Sequence, residues 1–259
     1  MPEASRDLRT GETPLEPLLR ARAVRVAAAF TALAFLASGF IPQFGGPGYE
    51  ASLAAGLVLP ATSALCLSFG LAGRRVAPLE AFGRGLSVGF GLAVLGLLIV
   101  LGHGLRVGMC DAGWGVELYL LAPLPGALLA GVWGAAVGLV AGRVRRGFRR
   151  RSLCILGALS APLFGIGLSL GRFYTSPMVF AFDPFFGYFA GPLYDTVIDA
   201  FWTLASYRAG TLLTLLGLGS AASFFDDRLR FQGLRGKTWL LGVSVSALLG
   251  SAALIWNGS

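Results

Sequence analysis

Three carboxylates, Asp183, Asp195 and Asp199, lie in one aromatic stretch, FDPFFGYFAGPLYDTVID, of a chain that otherwise keeps most of its charges between apolar runs. Asp195 and Asp199 are one helical turn apart, and bends at Gly187 and Gly191 can return Asp183 toward them. Carboxylates so placed clamp a divalent cation and, through it, a phosphate. All the donors are oxygen, so Mg²⁺ or Ca²⁺ suits the set better than zinc. A structural reading stands beside this one: Asp183 caps a turn ahead of Pro184, while Asp195 and Asp199 face water.

Other chemistries find few residues to use. His103 is the only histidine, which rules out bis-histidine haem ligation. A Ser-His-Asp site would need His103 together with a GxSxG elbow that the sequence lacks, and no HExxH zinc motif occurs. Cys66 and Cys154 sit within apolar runs and Cys110 in a short connection, without CxxC spacing, so neither a disulfide nor a structural metal is expected. Gly236, Lys237 and Thr238 end like a phosphate-binding loop, but Phe231 stands where its first glycine belongs. No motif implies a cofactor.

The elements that must position these residues follow from composition. Hydrophobic residues make up 55% of the chain and charged residues 13%, with a mean hydropathy of +0.73, whereas a soluble domain is about one quarter charged. The chain reads as an all-α polytopic membrane helix bundle. Its net charge of +8 does not point to nucleic acid, because the arginines form short clusters between apolar runs rather than a stripe on a polar face. Lys237 is the only lysine among 21 basic residues. That usage, with the Ala and Gly load, matches a GC-rich bacterial genome and an inner-membrane location.

A bilayer core about 30 Å thick takes roughly 20 residues of helix, since every backbone group must be bonded internally. Seven transmembrane helices are predicted on this rule, over 24–41, 51–71, 86–105, 116–141, 153–173, 209–225 and 239–256. Residues 1–20 read as a flexible cytoplasmic tail and 21–259 as a single bundle. Short cytoplasmic connections are enriched in Arg and Lys. With the amino terminus inside, Arg74, Arg75 and Arg84, the cluster from Arg143 to Arg151, and Arg228, Arg230, Arg235 and Lys237 are all cytoplasmic. Arg106, Arg172 and Arg208 fall outside, with Glu50, Asp111, Glu117 and the three candidate carboxylates. The topology is therefore N-in/C-out. Within the basic cluster, Arg145, Arg146, Arg149 and Arg150 are placed to meet anionic head groups.

Lipid gives helices no hydrophobic reason to associate, so close backbone approach must hold the bundle. Small residues recur at four-residue intervals at Gly134, Gly138 and Gly142, preceded by Ala130, and at Gly157, Ala161, Gly165 and Ser169. Such glycine-zipper ridges predict flat helix contacts. The interiors of the predicted spans hold no ionisable residue, which argues against a proton-coupled carrier or an intramembrane protease.

The longest connection, 172–208, is broken by Pro177, Pro184, Gly187, Gly191 and Pro192 and cannot span as a helix. Aromatic rings favour the head-group level, so Phe182, Phe185, Phe186, Tyr188, Tyr194 and Trp202 are expected at the outer interface. Over 193–206 the polar residues Asp195, Asp199, Thr203 and Ser206 recur at helical spacing, which predicts an amphipathic helix lying on that surface.

This stretch resembles a segment of bacterial membrane proteins in which a multi-span amino-terminal region precedes an extracytoplasmic peptidase-like domain. The resemblance covers this one connection and implies an anchoring region, with no catalytic residue here. Three functions then compete. One is a membrane anchor or assembly module whose outer aromatic cap contacts lipid or another membrane or extracytoplasmic protein. The second is a carrier or channel for a weakly polar solute. The third is an interfacial lipid-phosphate enzyme using Asp183, Asp195 and Asp199.

Overall fold

Every apolar run singled out above is helical in the computed structural model, which describes residues 22–109, 111–145, 147–175, 180–190, 201–233 and 238–257. The helices are α1 (Arg22–Ser38), α2 (Tyr49–Leu71), α3 (Pro78–Val107), α4 (Ala112–Leu121), α5 (Pro123–Ala141), α6 (Gly147–Thr175), α7 (Phe201–Ala222) and α8 (Thr238–Asn257). Between α6 and α7 lies one hairpin of two strands, β1 (Phe180–Asp183) and β2 (Gly187–Ala190). Among the described residues five segments are long and apolar enough to cross a membrane: α2, α3, α4 with α5, α6, and Thr238–Ile255 of α8. Large apolar side chains such as Leu33, Leu98, Leu163 and Phe164 are exposed on α1, α3 and α6, as a bilayer-facing surface requires.

Several helices outrun their apolar cores. The third predicted span, α3, starts at Pro78 rather than 86, and the fifth, α6, at Gly147 rather than 153. Hydropathy marks where the bilayer ends, but the backbone ladder continues through Glu and Arg, which are good helix formers. Glu80 and Arg84 strengthen that extension with an i,i+4 pair at 2.6 Å. The predicted fourth span is interrupted instead. Asp111 caps α4 by accepting from the Trp114 amide at 3.0 Å. Pro123 and Pro125 have no amide to give the carbonyls one turn back, and the helix breaks at Ala122.

The helices run back and forth between two ends. At one end the turns after α2 and α5 meet, with Gly142 against the Gly73 backbone, and both turns carry arginines. The other holds the hairpin. At the centre, α5 packs against α2 and α3 where side chains are smallest. A Cβ on Gly85 would come within 2.9 Å of the Gly131 backbone, and one on Gly138 within 2.9 Å of the Leu67 carbonyl; Gly134 is tighter still against the Ala64 backbone. On the next helix, Gly157 receives the Val137 side chain. Its carbonyl accepts from the Trp133 indole at 2.8 Å, and Cys154 donates to the Ser68 carbonyl at 3.5 Å. Helices α7 and α8 pack chiefly on each other, through Gly217 against Leu248, a Ser244 hydroxyl bonded to the Gly217 carbonyl at 2.9 Å, and Thr214 with Ser251 at 2.6 Å.

These contacts separate packed glycines from open ones. Replacing Gly138 with Leu is expected to destabilise the bundle by about 1–3 kcal/mol, as overpacking does elsewhere. Gly91, where an added Cβ meets nothing within 4 Å, should accept Leu within about 0.5 kcal/mol. Unfolding of the two detergent-solubilised variants checks the difference.

Candidate functional site

Asp183 and Pro184 turn the chain. In the hairpin Phe180 pairs with Ala190 and Asp183 with Gly187, leaving Pro184, Phe185 and Phe186 as the connection. One Asp183 carboxylate oxygen, Oδ1, accepts from the Phe185 amide at 2.7 Å and the Phe186 amide at 2.9 Å, so the predicted turn cap forms. Gly187 closes the turn at φ +110°, in a region that suits glycine. A side chain there would also lie 2.8 Å from Ala122 Cβ.

The tip of this hairpin is seated between three helices. A Cβ on Gly56 of α2 would collide with the Phe186 carbonyl, and one on Gly126 of α5 with the Phe185 carbonyl. On α6, a Cβ at Gly165 would lie 2.5 Å from Asp183 Oδ2 and 3.2 Å from the Phe185 ring. Gly165 is about 15 Å of helix from the end of α6 at Thr175, so the tip enters well inside the bundle. Irregular backbone is tolerated at such depth only where protein surrounds it.

Two charged side chains meet the polar groups carried in with the tip. Asp183 is fully buried, with the Ser169 hydroxyl 3.4 Å from Oδ2; the same hydroxyl donates to the Phe182 carbonyl at 2.8 Å. Arg208, 2% exposed, reaches across from α7. Nη1 donates to the Pro184 carbonyl and Nη2 to the Ala122 carbonyl, both at 2.8 Å. The guanidinium thus joins the hairpin turn to the break between α4 and α5. Phe182 stacks on Tyr207 at 5.7 Å beside buried Leu204. Burial raises the Asp183 carboxyl above the usual carboxylate range, while the Phe186 and Phe185 amides, Arg208 and the Ser169 hydroxyl pull it back.

The arrangement corrects three expectations. Phe182, Phe185 and Phe186 do not line an outer interface; all three are buried, because the glycine seats offer the tip rings a better-packed apolar environment. Phe201 to Ser206 belong to the same continuous helix as the predicted sixth span, whose inward face begins at Leu204, so these residues are no part of a separate surface helix. Arg208, assigned to an outer connection, is buried in that helix. Trp202 does remain exposed. Asp195, Asp199, Tyr194 and the Tyr188 side chain lie outside the described residues, as does Arg146. Arg145, Arg149 and Arg150 are exposed. Among the described residues no three His, Cys, Asp or Glu side chains gather as metal ligands.

Sequence reasoning missed the roles of Arg208, Gly56 and Gly126, and it placed Ser169 on a packing ridge without the hydroxyl's bond to the hairpin. A signal for Arg208 existed: it was one of three arginines on the side that charge asymmetry leaves poor in them. Arg106, another of the three, also binds a carbonyl, that of Gly39 at 2.7 Å, and lies over the Phe40 ring at 4.5 Å. Carbonyls and rings hold these cations where topology alone would not place them. No protein-family model, curated protein or solved structure matches the chain.

Asp183→Ala removes the acceptor of two buried amides and is expected to cost about 1–3 kcal/mol, whereas Asp183→Asn keeps an oxygen there and should cost less. With its folded pKa above its unfolded value, Asp183 holds its proton more tightly in the fold. Stability from this group therefore grows as pH falls through the window between the two values. Unfolding of wild type and Asp183→Asn across mildly acidic pH should show that slope in the wild type and a flatter response in the variant.

Proposed function

We propose that the chain is a seven-span module of a bacterial inner membrane, with its amino terminus in the cytoplasm and its carboxyl terminus outside, and that it anchors or assembles a protein on the outer face. The observation that carries this reading is the use of the buried charges. Arg208 grips two carbonyls and Asp183 two amides of a seated turn, and neither lines one of the described cavities. These groups serve a rigid outer end rather than a path or a reaction. A carrier needs elements that move past one another, and a hairpin gripped on three glycines and two charges resists that.

The resemblance of the hairpin stretch supports the same reading, as the membrane region preceding an extracytoplasmic peptidase-like domain. A carrier for a weakly polar solute and a lipid-phosphate enzyme remain the competing proposals, with less support, since Asp183 is enclosed by the turn it caps. The ridges at Gly134, Gly138, Gly142 and Gly157 act in this proposal as a glycine zipper that keeps the module stiff, while Gly165 seats the hairpin.

Orientation is tested by cysteine labelling in intact cells. Cysteines replacing Arg143 or Arg228 should be protected from an impermeant maleimide, while Cys110 and cysteines replacing Glu50 or Trp202 should react; Cys66 and Cys154 are buried and give little background. Labelling of the Arg143 position from outside would reverse the topology. The anchoring role is tested with a photo-crosslinking residue in place of Trp202. One discrete protein adduct is expected in cells, lost when Gly165→Leu unseats the hairpin. Solute flux through proteoliposomes of the purified chain, abolished by the same substitution, would favour the carrier instead.

A further inference from the structure

A groove of about 740 Å³ runs between α1 and α2 at the arginine end of the bundle. Its walls are apolar, with Val26 and Phe30 from α1 and Leu65 and Phe69 from α2, and Arg22 and Arg74 stand at its mouth. From Arg22 to Phe30 the groove follows about 12 Å of helix. Beside it, in the cleft between the turns that follow α2, α5 and α7, lies a polar basin of about 570 Å³ lined by Arg74, Arg75, Arg143 and Arg228, with Asp227 as its acid. Arg74 borders both cavities. Among the described residues the guanidiniums of Arg22, Arg74, Arg75 and Arg228 have no hydrogen-bond or ion-pair partner, unlike Arg84, Arg106 and Arg208.

We infer that this groove and basin together form a binding site for one anionic phospholipid, its acyl chain along α1 and α2 and its phosphate between Arg22 and Arg74. The apolar walls open to the bilayer, so a lipid chain is the occupant at hand. The unpartnered cations at the level where the helices end select a negative head group over a zwitterionic one, since each contributes measurably near a phosphate. Arg75, Arg143 and Arg228 extend the positive field into the basin, where a second phosphate or glycerol group of the same lipid fits. The site is independent of the outer hairpin, and it differs from the general attraction of lipid to the exposed Arg145, Arg149 and Arg150.

Native mass spectrometry of the full chain, released from detergent with phosphatidylglycerol and phosphatidylcholine of matched chains, tests the site. Wild type is expected to retain phosphatidylglycerol preferentially, and Arg22→Gln with Arg74→Gln should lower that preference by about fivefold per arginine. Arg145→Gln with Arg149→Gln should leave it unchanged. Phe30→Ala, which opens the groove without touching a charge, should weaken retention of both lipids. Thermal unfolding with glycerol phosphate in place of lipid should show no stabilisation. The proposal is overturned if the Arg22 and Arg74 variant keeps the wild-type preference, if the Arg145 and Arg149 variant loses it, if glycerol phosphate alone stabilises as lipid does, or if the groove is filled by a second copy, seen as a dimer free of lipid.

Discussion

A turn of irregular backbone carried between membrane helices must find its hydrogen bonds without water, since each unmet polar group costs several kcal/mol in hydrocarbon. In this protein the solution is ionic. Asp183 takes the two amides at the hairpin tip and Arg208 takes a carbonyl at each side of it, one in the turn and one at the helix break of Ala122. Charged partners make stronger hydrogen bonds than neutral ones. Burying both is tolerable because fixed dipoles meet Asp183 Oδ1 and both terminal nitrogens of Arg208 and each charge attracts the other, although Arg208 Nε is buried without a partner.

That arrangement explains features that would otherwise be unrelated. The carbonyl that Arg208 takes on that side belongs to Ala122, the residue at the break between α4 and α5, so the position of the break fixes where the guanidinium binds. Glycines at 56, 126 and 165, on three different helices, clear the volume that the tip occupies. Helix α7, which otherwise packs mainly on α8, joins the bundle through Arg208, Tyr207 and Leu204. The same interaction therefore places a turn and attaches a helix pair.

The two ends of the bundle differ in chemistry. At the hairpin end Arg208 is enclosed and bonded to two carbonyls, and Arg106, though exposed, is held by the Gly39 carbonyl and the Phe40 ring. The opposite end carries its arginines exposed, around a basin and the mouth of an apolar groove. The buried charges of the bundle thus serve a seated turn at one end, while the arginines of the other end face outward.

Local chemistry was enough to read much of this from the chain alone. Apolar runs of bilayer length predicted helices at the right places because hydropathy acts over each segment by itself, and Asp183 before Pro184 predicted a capped turn because its bonds reach only two and three residues ahead. Helix ends were less legible, since the ladder at Pro78 and Gly147 continues past the apolar core that marks each span. What tertiary structure alone decided was where the turn goes. Aromatic rings suit a head-group interface or a protein interior equally well by composition, and only the meeting of Gly56, Gly126 and Gly165 makes a seat. Those residues are distant in the chain, and nothing in their own neighbourhoods distinguishes Gly165, pressed against Asp183, from Gly167, which meets nothing within 4 Å. The role of Arg208 was hidden for the same reason: its partners, Ala122 and Pro184, offer carbonyls that every residue possesses, so their availability depends on a helix break and a hairpin brought together in space.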